Sequence, residues 1–253
     1  MNTNTLKVLN KGYVTLVDSM GSDLSVVNSA RCSYMKKSDE LTDKDIRLIK
    51  FLAREGHLSP FRHAVLQFEL YTPLLVARQW FKYRIGSAHS EDTANNDEVI
   101  FTNNGDDDGF GDPIHGRNEA SRRYITLTPE FYIPLPNEWR SKPENSKQGS
   151  GDNLSETTGK LLTEVLINQI DEGIKNYEWA LGQGVAPEQA RLFIPSAYGL
   201  YTAWYWTTSL QGVCHFLEQR LEHDAQSEIR DYARAVYYLA KQKFPVSIEE
   251  LIK

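Results

Sequence analysis

Six arginines, Arg78, Arg84, Arg122, Arg123, Arg191 and Arg220, sit in segments whose apolar spacing is that of folded elements. A guanidinium fork pairs bidentately with phosphate oxygens and with planar carbonyl edges, so several converging forks would recognise a small anionic ligand. A solvated helix face is the plainer use of any single one. Arg220 stands apart. It ends the apolar-rich run VCHFLEQR and precedes LEHDAQSEIR, a position that aims its head into a cleft. The densest cluster is RNEASRRY at 117–124, where Arg117, Arg122 and Arg123 offer donors and Glu119 and Ser121 offer acceptors.

Other chemistries lack their residues. Cys214 and His215 are adjacent, but helix neighbours point about 100° apart. A thiol nucleophile needs its base beside it in space, so a buried structural cysteine is expected. No Walker loop is present, and no Gly-x-Gly-x-x-Gly follows a strand. His57 and His63 lack metal-ligand spacing, and the run from Asp106 to Asp112 lacks the closing glutamate of a calcium loop. No metal site is expected. Trp204, Tyr205 and Trp206, and Trp80 with Phe81, offer planar surfaces for a stacked cofactor, although core packing accounts for most such rings.

Composition narrows the partners. The 253 residues suffice for one large domain or two small ones. The net charge of −6 is uneven: 88–117 holds eight acidic residues against Arg117, leaving the remainder at about +1. A near-neutral body with local arginine clusters suits a small anion, whereas nucleic acid requires an extended basic face. No window approaches the ~18 apolar residues of a membrane span. The opening MNTNTLKVLNKGY does not resemble a signal peptide, and two cysteines do not make a disulfide framework. A cytoplasmic protein is expected.

The elements that would position these groups can be read from periodicity. YVTLVDSM (13–20) and AVLQFELY (64–71) roughly alternate and predict strands. Asp23 is read as the cap of a helix to Arg31, and Thr42 as the start of another that stops at Glu55-Gly56. LLVARQWFKYR reads as a short helix. Polar 88–117 reads as a long loop, 124–133 as extended chain, and 137–155 as loop. Helices are predicted over 156–181 (with Leu161, Leu162, Val165, Leu166, Ile170 and Ile174 as its apolar stripe), from Pro187, over 207–221 and over 225–244. The class is α+β: helices around a small, mainly antiparallel sheet, in a single domain over 1–253, with 88–117 as an acidic insertion.

In this order, the pieces resemble the flavin-dependent thymidylate synthases. That family's signature is Arg-His-Arg, two residues, Ser, one residue, then Asn-Glu-x-Ser-x-Arg-Tyr. Here its first half reads KYRIGS (82–87), its second NEASRRY (118–124), and the single spacer has become 88–117. The flanks KGYVTLVDSMGSDLSVVNSARCSY, GHLSPFRHAVLQFELYTPLLVARQWF, FYIP, NSKQGS, ARLFIP, YTAWYWTTSL and HFLEQRLEHDAQSEIRDYA extend the resemblance over nearly the whole chain outside the insertion and parts of 137–160.

The resemblance implies a homotetramer with active sites between subunits. Each site would hold FAD and dUMP and methylate dUMP reductively to dTMP, with methylenetetrahydrofolate and NADPH as co-substrates. Gln79, Lys82, Glu119, Ala120, Ser121, Arg122 and Arg123 would surround dUMP, with Arg191 and Arg220 opposite. Arg220 would activate the uracil ring, and no cysteine nucleophile is required. Flavin contacts carry over to Ser59, Lys82, Tyr83, Arg84, Glu119, Ser209, Gln211 and His215. The chain departs from the family around the flavin: Lys82 replaces Arg, Tyr83 replaces His, and Arg62 stands where related chains often carry Glu. Ser209, Gln211 and His215 replace the more typical Asn, Arg and Asn. These changes keep open a flavoenzyme with another outcome, such as hydroxymethylation of a pyrimidine nucleotide, or a non-catalytic nucleotide-binding homologue.

Overall fold

The computed structural model describes residues 4–83, 114–120, 129–144, 149–194 and 198–253. Its centre is a five-stranded antiparallel sheet of order β1-β2-β3-β5-β4, formed by Thr5–Val8, Gly12–Met20, Val65–Pro73, His115–Glu119 (β4) and Tyr201–Ser209 (β5). Period-two alternation puts Val14, Leu16, Leu66, Phe68, Leu70, Trp204 and Trp206 on one buried face. In register, Phe68 faces Trp206 and Leu70 faces Trp204. The opposite face carries Tyr13, Gln67, Glu69, Tyr205 and Thr207. There Tyr13 donates to Glu69 Oε1 at 2.8 Å; burial, then Glu69, push the phenol up to about 12.

Helices close the apolar face. They are α1 (Asp23–Arg31), α2 (Asp43–Arg54), α3 (Leu74–Trp80), α6 (Leu210–Arg220), α7 (Ser227–Lys243) and α8 (Pro245–Leu251). Trp80 is the hub: it stacks on Phe216 at 4.0 Å and meets Trp204 and Trp206 edge-on at 5.2 Å. Core packing therefore claims Trp80, Trp204 and Trp206, whereas Tyr205 lies on the other face. A second apolar cluster joins Phe131, Ile170, Tyr177, Ala190 and Leu200 beneath α4 (Glu156–Gly182) and α5 (Pro187–Ala190). Among the described residues, no helix is long and apolar enough to cross a membrane.

Several expectations need correction. The segment 201–209 is a central strand, and the helix predicted from 207 starts at Leu210, with Ser209 Oγ accepting from the Gly212 N–H. His115–Arg117, read as loop, form strand with Asn118 and Glu119 because the free edge of β5 pairs with them. The rest of the insertion up to 113 lies outside the described residues, as does 124–128 of the extended segment. Ser22, not Asp23, caps α1; the Asp23 carboxylate instead accepts from the backbone N–H groups of Val246 and Ser247 at the start of α8. On α4, Ile170 is buried, but Leu161 and Val165 of the predicted stripe are 61% and 56% exposed.

Candidate active site

Arg220 is the last residue of α6 and opens onto a cavity of about 440 Å³. That volume is within the range of small-ligand sites. α3 contributes Gln79; the 129–144 segment contributes Arg140; Gly149 and Ser150 follow; Asp224 and Gln226 come from the connection between α6 and α7. The lining is polar and mostly tied down. Gln79 Nε2 donates to Gln226 Oε1 at 2.6 Å. One terminal nitrogen of Arg140 donates to both carboxylate oxygens of buried Glu228, at 2.7 and 2.8 Å. Burial pushes the Glu228 carboxyl up, but Arg140 and further hydrogen bonds outweigh it and hold the pKa below the ordinary value. Gly149 adopts φ +78, and a Cβ there would stand 3.2 Å from the Asp224 carbonyl. Glycine thus lets this segment form the cavity wall.

Arg220 differs from its neighbours. Its guanidinium carbon lies 4.8 Å from the centroid of the Tyr83 ring, and its buried Nε has no hydrogen-bond partner. Burial draws its pKa below the ordinary value, partly countered by the charge of Asp224; a guanidinium remains a cation at neutral pH regardless. A partly buried cation whose Nε is unpartnered, at the edge of a polar cavity, suits a planar, partly anionic ligand.

A strip of side chains runs from this cavity along α6. Tyr83 meets His215 edge-on at 5.9 Å, and His215 lies one helical turn from Gln211. Gln211 Oε1 accepts from Arg62 Nε at 2.6 Å. Arg62 and the exposed Ser59 are three apart in the 3₁₀ turn Ser59–His63, so they share a face. Five of the expected flavin contacts or their neighbours are thereby brought onto one line.

The other expected residues are scattered. Glu119 ends β4, its Oε1 accepting from the Thr202 hydroxyl at 3.0 Å, and Ala120 follows with its N–H on the Ala203 carbonyl. Lys82 is exposed just after α3. Arg191 is exposed, holds the Glu188 carbonyl through Nε at 3.0 Å, and is not among the residues lining the Arg220 cavity. Ser209 is fully buried and spends its hydroxyl as a helix cap. Arg84, Ser121, Arg122 and Arg123 lie outside the described residues. Arg117, on β4, has its guanidinium carbon 3.8 Å from the centroid of the Phe81 ring. Sequence reasoning did not single out Arg140, Asp224 and Gln226. Arg140 follows a Trp in a polar stretch, a faint sign of anchoring, but its partner Glu228 is 88 residues away.

Comparison with known proteins decides the family. The model of the "Thymidylate synthase complementing protein" family matches residues 15–246. The chain belongs to this family, the flavin-dependent thymidylate synthases. The flavin-dependent thymidylate synthase of Thermotoga neapolitana is 36% identical over 252 residues, 98% of this chain and 94% of that protein. That of Wolbachia pipientis wMel is 34% identical, over 98% and 76% of the two chains. In structure, the chain is similar to the UMP/dUMP methylase PolB from Streptomyces cacaoi bound with 5-Br dUMP. The TM-score is 0.75 at 25% identity, covering 97% of this chain and 96% of that one.

Proposed function

We propose that this flavin-dependent thymidylate synthase methylates dUMP reductively to dTMP, taking its carbon from methylenetetrahydrofolate and its reducing equivalents from NADPH through FAD. The observation that carries the reading is Arg220: a partly buried guanidinium with a buried, unpartnered Nε, lining a cavity of nucleotide-fragment size. It stands where the family resemblance expects the residue that activates uracil.

The chain's own groups have clear tasks. Arg220 sits against the carbonyl edge of the pyrimidine. As N3 loses its proton and C5 becomes nucleophilic, negative charge builds on that edge, and a preorganised cation beside it stabilises that charge more than reorienting water does. Gln79, held by Gln226, presents a neutral polar edge to the same cavity. Cys214 takes no part: it is buried, and desolvation and then the charge of Glu218 push its thiol up, away from the thiolate that attack requires.

The donor set along α6 fits a flavin dinucleotide. Arg62 and Lys82 supply cations for phosphates, and Gln211, His215 and Ser59 supply neutral polar groups. When bound, FAD supplies the redox chemistry, while the protein positions and shields it. A homotetramer with sites between subunits suits two features. Arg191 is exposed and does not line the Arg220 cavity, and α4 presents Leu161 and Val165 to solvent. A single domain in the cytoplasm is the simplest setting.

Incubation with dUMP, methylenetetrahydrofolate and NADPH is expected to yield dTMP, and Arg220→Ala is expected to abolish turnover with an unchanged oligomer. FAD and dUMP binding without dTMP formation would overturn the reading. The likeness to a UMP/dUMP methylase favours one second reading, a pyrimidine nucleotide other than dUMP. Running UMP beside dUMP in the same assay separates the two.

A further inference from the structure

The side chain that holds Arg220 is an aromatic ring rather than a carboxylate. An arginine at a helix end has several rotatable bonds, and fixing them costs side-chain entropy. The usual anchor, a carboxylate, consumes N–H donors. Among the described residues, no hydrogen bond or ion pair fixes Arg220, and Asp224 acts on it only through its charge. The guanidinium lies instead over Tyr83, at 4.8 Å from the ring centroid. The ring face attracts the cation and takes none of its donors.

Tyr83 is itself immobilised. It is 5% exposed, and its backbone N–H donates to the Trp80 carbonyl at 3.0 Å. Its ring meets Phe216 edge-on at 5.8 Å, and Phe216 stacks on Trp80 at 4.0 Å. Phe216 and Arg220 are four apart on α6 and therefore share one face, so Tyr83 bridges the pair. The line Trp80–Phe216–Tyr83 carries the rigidity of the core to the guanidinium.

We propose that Tyr83 is a positioning residue, whose ring face fixes the Arg220 guanidinium in the cavity while leaving its N–H groups for the nucleotide. This assigns the ring to Arg220 rather than to direct flavin contact, and it rests on the proposed place of Arg220 at dUMP.

The test is a double-mutant cycle on the full-length, flavin-loaded protein, read by calorimetric titration with dUMP. Tyr83→Phe keeps the ring face and should bind within about twofold of wild type. Tyr83→Met fills the space without a ring face and should bind about tenfold more weakly, between the sizes of an exposed and a desolvated cation–π contact. In the Arg220→Ala background, Tyr83→Met should cause no further loss, because its effect passes through Arg220. Melting temperatures of both Tyr83 variants check folding; if Tyr83→Met does not fold, Tyr83→Leu takes its place in the cycle. A merely structural Tyr83 would give additive losses, and that result overturns the inference. So does Tyr83→Met binding as tightly as wild type. A wild-type protein that does not bind dUMP overturns the functional reading beneath it instead.

Discussion

Arg62 Nε donates to Gln211 Oε1 at 2.6 Å, joining the 3₁₀ turn before β3 to the first turn of α6 across 149 residues of sequence. The family resemblance leads one to expect Glu at the first position and Arg at the second. In this chain the two side chains meet, with the cation on the 3₁₀ turn and a neutral amide on α6. Arg62 thus gives the strip beside α6 a positive charge.

This contact makes the two positions interdependent. Gln211→Arg alone sets two guanidinium groups against each other and removes the hydrogen bond, at a cost of about 1 kcal/mol. Adding Arg62→Glu restores an opposite-charge pair and should recover stability to within about 0.5 kcal/mol of wild type. Urea unfolding of both single variants and the double variant measures the coupling. Simple additivity would mean that the side chains do not meet in solution.

Asp45 gives a pH prediction. It is buried, and it accepts from the Thr42 N–H at 3.0 Å, the Thr42 hydroxyl at 2.6 Å, the Ser38 hydroxyl at 3.0 Å and Arg31. Burial alone would raise its pKa, but these bonds outweigh it and hold the carboxyl at about 2. The unfolded chain titrates near ~3.9. The folded value is the lower one, so this stabilisation is complete above about pH 4 and is lost as pH falls towards about 2. Its size is on the order of 2 kcal/mol. Asp45→Asn should lose that much at pH 7 and flatten the stability profile between about pH 4 and 2, as read by thermal melts across that range.

What the sequence reveals, and what it hides, follows from the range of the interactions. The α+β class, α2 with its Thr42 start, α4 and the helix that presents Arg220 were legible because their periodicity and caps are local. β5 carried its own signal, since Trp204, Trp206 and Thr208 alternate, but the following helix was extended over its end. Ser209 caps with no glutamate three residues later to mark it. β4 could not be read: HGRNE has no apolar alternation and is a strand only because β5 offers it an edge. The place of Arg220 at the end of an apolar helix points to a cavity, and the structure has it lining one. Arg140–Glu228 and Asp23–Ser247 were hidden because each joins segments distant in sequence.

Cys214 separates two kinds of chemistry. It is buried in the main core with its thiol pKa raised. Cys214→Ala removes one sulfur from packed surroundings and should cost about 1–2 kcal/mol of stability. Turnover should stay within about twofold of wild type, because no step is assigned to the thiol. A loss of several orders of magnitude in kcat with a normal melting curve would identify it as a nucleophile and overturn the proposed chemistry.

Gly159 tests how α4 positions the cavity wall. An added Cβ at this position would stand 1.7 Å from the Pro136 carbonyl oxygen and 2.6 Å from its carbon, both backbone atoms that cannot rotate away. The 129–144 segment that crosses here also carries Arg140 to the cavity. Nearby, Trp139 Nε1 donates to Thr163 Oγ1 at 2.8 Å, and the same hydroxyl donates to the Pro134 carbonyl at 3.1 Å, so the segment is already pinned to α4. Gly159→Ala must push the segment off the helix, costing about 3 kcal/mol or more by overpacking. It should also weaken dUMP binding through Arg140. Gly182, at the end of the same helix, has nothing within 4 Å of an added Cβ. Gly182→Ala should therefore stabilise by about 0.5 kcal/mol through the unfolded chain and leave binding unchanged. Chemical denaturation with parallel dUMP titrations separates the two, and equal effects of both substitutions would show that helix propensity alone, not contact with Pro136, sets the cost.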